Sequence, residues 1–553
     1  MNWAPICNHT HYSLLRGFSR PEQLVEKCKE NGYKSCGIAD YRTVSGVVNH
    51  FKACEKHDIK PIIGCDFGNL ILLAKNIDGW YNLIHLVSSL DEDGELTQDL
   101  LQSTCSERNL ICISESEHFL KNVMSEDFYV RSPALMSTFY VDREDSELHR
   151  ILLCSGLKTT LPKIHKKLKA GEFPEQSGFF DRDDFHLQDK QEITETLLDS
   201  CTHKETEEVS EIIEKCEYYD ILCKPSLPTF TCPDGQSEEN YLKLLSREGW
   251  KTLLIKTGKV SDEKNKQTYL DRFSQEFDTI KDANLFGYFL IVRDIIEFVN
   301  RMGWLSGPGR GSAAGCLISY LVGITKIDPI EYGLLFERFY NTGRNTGGHI
   351  SLPDIDIDVP GKKRDEIISY LKDKYGKSNV SQMITFGRLQ GRSALKEVFR
   401  INEISSFGEM NEITKSIPNE ADISDQLQAM DEEDRSIIKW ALLNNKDELR
   451  DFCFINSRGM LEGEYSEYFE QAIKMEGTFK SQGKHAAGVV ISSKNLHDAC
   501  PMVNQKSGGE KIVGIEMNDL ESLGHVKFDI LGINLLDKIM KIQDLIEDKP
   551  YVS

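Results

Sequence analysis

No apolar run in this 553-residue chain reaches the ~18–20 residues that cross a bilayer, so a membrane-spanning helix is not expected. Its fifteen cysteines include no C-x-x-C pair and no disulfide-framework spacing. That excludes a small cross-linked scaffold and makes a reduced, cytoplasmic setting the simplest expectation. Met1-Asn2-Trp3-Ala4-Pro5 lacks the basic region and apolar core of a signal peptide. Positive charge is scarce: 66 Lys and Arg face 88 Asp and Glu, a formal net charge of −22. A uniformly basic nucleic-acid coat is therefore excluded. The most glycine-rich stretch, Gly307–Gly315, is neither G-x-x-x-x-G-K-[ST] nor a strand-borne G-x-G-x-x-G, so two common nucleotide loops are ruled out there.

What is present is an ordinary globular composition, 40% hydrophobic and 28% charged, long enough for several cores. The organising stretch runs from Ser306 to Asp358. It opens with Gly307-Pro308-Gly309-Arg310-Gly311-Ser312-Ala313-Ala314-Gly315 and continues into the apolar run Cys316–Val322, which predicts a buried helix. Glycines admit positive φ and close backbone approach. A helix starting behind them offers unsatisfied amides to phosphate, and Arg310 adds a charged fork. The stretch closes with Pro353-Asp354-Ile355-Asp356-Ile357-Asp358. On a strand this alternation puts three carboxylates on one face and both isoleucines on the other. Carboxylates in a row repel unless a cation lies between them, and a hard oxygen-loving ion such as Mg²⁺ suits them. A phosphate-holding loop before such a strand implies two-metal phosphoryl transfer.

These residues resemble a known family. Gly307–Gly315, Leu335-Phe336-Glu337-Arg338-Phe339 and Pro353–Asp358 are similar to the C-family replicative DNA polymerases, the bacterial polymerase III alpha group. The likeness continues through Val380–Gly387, His485-Ala486-Ala487-Gly488-Val489-Val490 and Val526-Lys527-Phe528-Asp529-Ile530-Leu531-Gly532. It implies an α/β multidomain protein: a distorted (β/α) PHP barrel, then a polymerase-beta-like nucleotidyltransferase palm with an inserted helical thumb. The expected boundaries are 1–225 for the PHP domain, 226–270 for a connector, 271–400 and 481–553 for the palm, and 401–480 for the thumb. The resemblance further implies that Asp354, Asp356 and Asp529 coordinate two Mg²⁺ ions, and that Arg310, Gly311, Ser312, Arg338 and Lys527 cradle a dNTP. Asp358 is expected to be structural.

In chain order, Ile38-Ala39-Asp40 and Pro61-Ile62-Ile63-Gly64 predict strand ends, and Pro21 predicts a helix start. Set against the PHP pattern, Cys7 and His9 fall at its two histidine positions, His11 in a spacer, and Tyr41 where an active domain has histidine. Phe139-Tyr140-Val141-Asp142 replaces an Asp-Val-His stretch. A structural, metal-free PHP domain is the expectation; a metal-dependent phosphoesterase or 3′-5′ exonuclease is the alternative. The aromatic run Phe286–Val299 reads as core rather than base-stacking surface. Between Lys362 and Arg400, ten Lys and Arg face four Asp and Glu, a local excess suited to a primer-template backbone. His485 reads as structural, and Lys527 and Asp529 share a strand face.

The chain stops at Ser553, where family members continue into fingers, a clamp-binding region and an oligonucleotide-binding fold. The expectation is therefore a split polymerase whose separate C-terminal half supplies fingers and, through it, contacts with the sliding clamp and replisome subunits. An exposed apolar patch near Ile533–Leu545 would mark the junction. A non-catalytic replisome scaffold is the other class, disfavoured because it has no need of all three carboxylates.

Overall fold

The computed structural model describes residues 3–547 apart from 106, 124–125, 342, 344–351 and 506–507. Two expectations reach outside these residues: the 344–351 part of the Ser306–Asp358 stretch, and the last residues of the second palm segment. The chain forms two compact units, Met1–Ile221 with Phe386–Gly483, and Leu222–Thr385 with Lys484–Ser553. All fifteen cysteines are free thiols. Among the described residues no helix is long and apolar enough to cross a membrane.

In the first unit, five strands pair in the order Ser35–Tyr41, Lys60–Asp66, Leu70–Ala74, Leu110–Ser114, Phe128–Val130. The outer pairs are parallel and the inner two antiparallel. Ser35–Tyr41 and Lys60–Asp66 are buried almost end to end, as continuous apolar strands covered on both faces should be. Cys7–Asn8 pairs separately, in parallel, with Ser137–Thr138. Among the described residues, strand pairing alone does not close the barrel expected here. Pro21 sits in the first turn of helix Pro21–Glu30, where its missing N–H costs nothing. That helix packs Leu24, Val25 and Cys28 against Ala53 and Cys54 of helix Val47–His57.

The rest of this unit is the helical insert. Leu395, Val398 and Phe399 of helix Arg392–Asn402 share a core with Phe469, Ala472 and Met475 of helix Ser466–Met475, and with Leu148 and Leu152. Residues 386–400, read from sequence as the end of the first palm segment, thus cluster with the insert, because the apolar face of their helix is buried there. Burial alone would raise the pKa of Glu397 on that helix; hydrogen bonds from Arg400, Lys480 and Ser155 bring it down to about 2.

The second unit is built on a six-stranded sheet in the order Met502–Val503, Ile512–Val513, Val380–Arg388, Phe479–Ile491, Val526–Ile533, Asp356–Pro360. The last two are parallel and in register, Asp529 opposite Asp356. Behind them lies helix Phe286–Arg301, whose Phe289, Ile291, Val292, Ile295 and Val299 join Ile355, Ile357, Val359, Phe528 and Ile530 in one core. The aromatics of that run are core residues, as the sequence reading favoured. The segment read as a connector is part of this body as well. Helix Glu238–Gly249 runs on through wider turns at Trp250–Ile255, and Leu242 and Leu245 belong to the same core.

Candidate functional site

The carboxylates converge at the edge of this sheet. Regular strand begins at Asp356, one residue pair later than the Asp-x-Asp-x-Asp alternation predicts, so Asp354 stands in the preceding segment with 68% of its side chain exposed. Ile355, Ile357 and Val359 still point into the core, 2%, 1% and 0% exposed, which turns Asp356 and Asp358 to the other face. Register then does what sequence distance hides: it sets Asp529 beside Asp356. Lys527, two residues earlier on the same face, donates to Asp529 Oδ2 at 2.7 Å and lies 3.6 Å from Asp354 Oδ1. Arg310 Nε approaches Asp358 Oδ1 at 3.2 Å and Asp356 Oδ2 at 3.6 Å.

Four carboxylates thus share two cations, an imbalance of two negative charges in one patch. Partial burial, together with the neighbouring Asp529 and Asp356 charges, raises the pKa of Asp354 against the pull of Lys527. Burial works against the Lys527 ammonium, yet the Asp529 hydrogen bond and the Asp354 charge outweigh it and raise its pKa, so it stays protonated. Among the described residues no three His, Cys, Asp or Glu side chains stand at metal-binding spacing. The reason is visible: the Lys527 ammonium bridges Asp354 and Asp529. The donor set nevertheless suits a hard divalent ion. Asp529 Oδ1 is buried without a hydrogen-bond partner, and the patch carries the uncompensated charge that such an ion would neutralise.

The glycine loop lies against this strand. Gly307 N–H donates to Asp358 O at 3.0 Å, and a Cβ on Gly307 would fall 2.6 Å from Asp358 Cβ, so only glycine fits. Gly309 and Gly311 turn the loop at φ +96° and +62°. Lys326 holds its start, donating from Nζ to Ser306 O (2.8 Å) and from its backbone to Pro308 O (2.7 Å). The helix behind the loop is short, Leu317–Leu321, and here the sequence-based expectation is corrected. Its first amides do not wait for phosphate: Leu317 N–H and Ile318 N–H both donate to the Glu276 carboxylate at 2.9 Å. Anion binding is left to the loop itself and to Arg310.

Glu276 and its partner Arg272 are the residues sequence reasoning missed. Arg272 donates to Glu276 Oε1 (2.6 Å), to Gly315 O (2.7 Å) and to Leu334 O (3.0 Å). One side chain therefore ties the end of the glycine loop to the segment leading into Leu335–Arg338. An Arg/Glu pair four residues apart on a helix usually signals a solvated face; only the complete burial of Glu276 reveals the strut. Arg272→Leu leaves that carboxylate buried and unpaired, and we expect it to destabilise this unit by about 3 kcal/mol, read as a drop in its denaturation midpoint. Glu276→Gln, which keeps one acceptor, is expected to cost less.

Gly311 lies near the carboxylates, an added Cβ reaching within 4.0 Å of Asp356 Oδ2, whereas Ser312 and Arg338 are exposed. Among the described residues, no hydrogen bond or ion pair joins Ser312 or Arg338 to the cluster. His485 is a structural residue in its hydrogen bonding: Nδ1 accepts from Gly488 N–H (2.8 Å) and Ala487 N–H (3.2 Å). The basic stretch 362–400 is less available than its charge suggests. Arg364 donates to Ile530 O and Ala487 O, Lys374 pairs with Asp294, Lys372 with Glu510, Lys363 with Glu366 and Arg400 with Glu397. Lys396 and Arg392 are spent on Asn411 and Ile417 O. Lys362 and Lys377 remain exposed.

With this geometry in view, the sequence matches the family model of the bacterial DNA polymerase III alpha NTPase domain over residues 240–532, and the PHP domain model over residues 7–133. The chain belongs to the bacterial DNA polymerase III alpha family. It is 30% identical to the DNA polymerase III subunit alpha of Bacillus subtilis over all of this chain and 50% of the relative. The Pseudomonas aeruginosa subunit is 29% identical over 97% of this chain and 48% of the relative. That of Aquifex aeolicus is 28% identical over 99% and 52%. The chain spans about half the length of the curated relatives it matches.

In the PHP domain of this polymerase-family chain, the residues at the family's ligand positions serve other purposes. Asp40 accepts from Thr10 N–H (2.6 Å), Thr10 Oγ1 (2.7 Å) and Ser13 Oγ (2.6 Å), committing both oxygens to one turn. Burial pushes the Cys7 thiol up to about 11. Tyr41 lies under the Arg16 and Arg42 guanidinium groups at 4.0 and 5.0 Å. His11 stacks on Phe479, centroids 3.9 Å apart. Purified protein given Zn²⁺, Mn²⁺ or Mg²⁺ is accordingly expected to leave single-stranded DNA 3′ ends intact; degradation that disappears in His9→Ala would contradict this.

Proposed function

We propose that the second unit performs template-directed DNA synthesis, transferring a nucleotide from a dNTP to a primer 3′-hydroxyl on a palm of the polymerase-beta nucleotidyltransferase type. The observation that carries this reading is the in-register placement of Asp529 beside Asp356 with Lys527 between Asp529 and Asp354. Asp354, Asp356 and Asp529 would hold two Mg²⁺ ions, which when bound lower the pKa of the primer hydroxyl and offset charge on the departing pyrophosphate.

The chain's own residues do the rest. Lys527 and Arg310 hold the carboxylates together while ligand is absent, and turn to the triphosphate when that charge is met another way. The turn at Gly309–Gly311 presents backbone amides to phosphate, with the Ser312 hydroxyl beside them. Arg338, exposed on the segment that Arg272 ties to the loop, supplies a second guanidinium from the far side. The helical insert within 386–483 would act as the thumb along primer-template DNA.

We further propose that the remainder of the family's length, as a separate C-terminal half, supplies fingers and, through them, clamp and replisome contacts. Helix Asn534–Ile546 supports this: Leu535, Ile539, Ile542 and Ile546 recur on one helical face and are 61%, 37%, 55% and 78% exposed. The test is incorporation of labelled dNTP on a primed template by this chain mixed with that half. No incorporation by the mixture in Mg²⁺ would overturn the reading.

A further inference from the structure

His9 lies in the first unit, is 2% exposed, and neither ring nitrogen has a hydrogen-bond partner. Its nearest polar neighbour, Asp66 Oδ2, is 3.7 Å from Nε2, beyond hydrogen-bond reach. A buried group left this way costs roughly 1–3 kcal/mol and calls for a cause. The ring is held flat on Phe139, centroids 4.3 Å apart and planes within 1°, so its orientation is set. It borders a cavity of about 420 Å³ that Arg16 and Arg131 also line.

Those two guanidinium groups have donors to spare. Arg16 lies 4.0 Å over the Tyr41 ring, and its guanidinium takes no hydrogen bond or ion pair among the described residues. Arg131 gives one hydrogen bond, to Ser137 Oγ. Of the carboxylates on the cavity wall, Asp184 is bound by Arg182 at 2.9 Å, Glu115 is exposed, and Asp66 Oδ1 accepts from Gly68 N–H at 2.7 Å. Burial, then the positive fields of Arg131 and Arg16, hold the pKa of His9 to about 3. The imidazole is therefore neutral, with one N–H to donate.

We infer that this cavity binds a phosphate group, free or as the end of a small ester, through the Arg16 and Arg131 forks and the His9 N–H. Planar guanidinium groups match phosphate oxygens two at a time, which ammonium groups do not. Met136, Phe139 and Phe179 on the wall give an ester's organic part an apolar surface. Water alone would satisfy the histidine but would leave the two unpaired arginines unexplained. Binding here is separate from the nucleotide chemistry proposed for the second unit.

The experiment is calorimetric titration of the full chain in EDTA with inorganic phosphate and, separately, with dAMP. Saturable binding is expected for at least one, weakened about tenfold or more in Arg16→Gln and in Arg131→Gln, with unchanged melting confirming that the variants fold. Tighter binding of dAMP identifies an ester site; equal or tighter binding of phosphate identifies a free-phosphate site. No saturation at millimolar ligand overturns the inference. So does binding that survives both substitutions but is lost in Arg310→Gln, which would place the anion at the glycine loop.

Discussion

Asp356→Asn is expected to lower primer extension by the reconstituted enzyme at least ~10²-fold, the scale on which single transition-state stabilising groups act. Asparagine keeps the size and one acceptor but removes a full negative charge from the patch that Asp354 and Asp529 share. Folding should survive, because the Asp356 carboxylate contributes only a 3.6 Å ion pair to Arg310 while the strand is anchored by Ile355, Ile357 and Val359. Primer-template affinity should hold as well, since the carboxylate faces the reacting phosphates rather than the duplex. The substitution relieves repulsion, so the melting temperature should stay level or rise slightly. Extension within a few-fold of the unsubstituted enzyme, with melting and DNA affinity unchanged, would remove Asp356 from the chemistry.

Primer extension by this chain alone is expected to be feeble, and to rise by orders of magnitude when the complementary half of the family's length is added. Correct placement of reactants and closure of a lid over them supply several kcal/mol of barrier reduction in enzymes generally. The open stripe on helix Asn534–Ile546 is the surface through which the two would join. Ile542→Glu, which puts a charge in the middle of that stripe, should therefore weaken the pairing and depress extension at limiting concentrations of the partner. It should leave the melting of the isolated chain unchanged, because 55% of Ile542 is already in water. Strong extension by residues 1–553 unaided would end the split-enzyme proposal, and an unaltered pairing in Ile542→Glu would move the junction elsewhere.

Much of this protein could be read from local pattern. The alternation in Asp354–Asp358 placed its isoleucines inward because a strand repeats every two residues, and the same period put Lys527 and Asp529 on one face. The turn at Gly307–Gly311 was legible because its steric demands leave glycine as the residue that fits. Proline at position 21 announced a helix start, and the unbroken apolar run after Phe286 announced a core helix.

What only the tertiary structure decided are relations across long stretches of chain. Strand register set Asp529 opposite Asp356; a shift of one residue would have turned Lys527 and Asp529 to the other face. The fate of each charge depended on what the fold brought to it. The helix amides behind the glycine loop were claimed by Glu276, most of the basic stretch 362–400 by internal partners, and the donors of Arg310 and Lys527 by the carboxylates themselves. Sequence determined which groups this protein carries and which way each local element turns them. Packing determined which of those groups meet, because a charge or an amide near a buried partner binds that partner before it can bind a ligand.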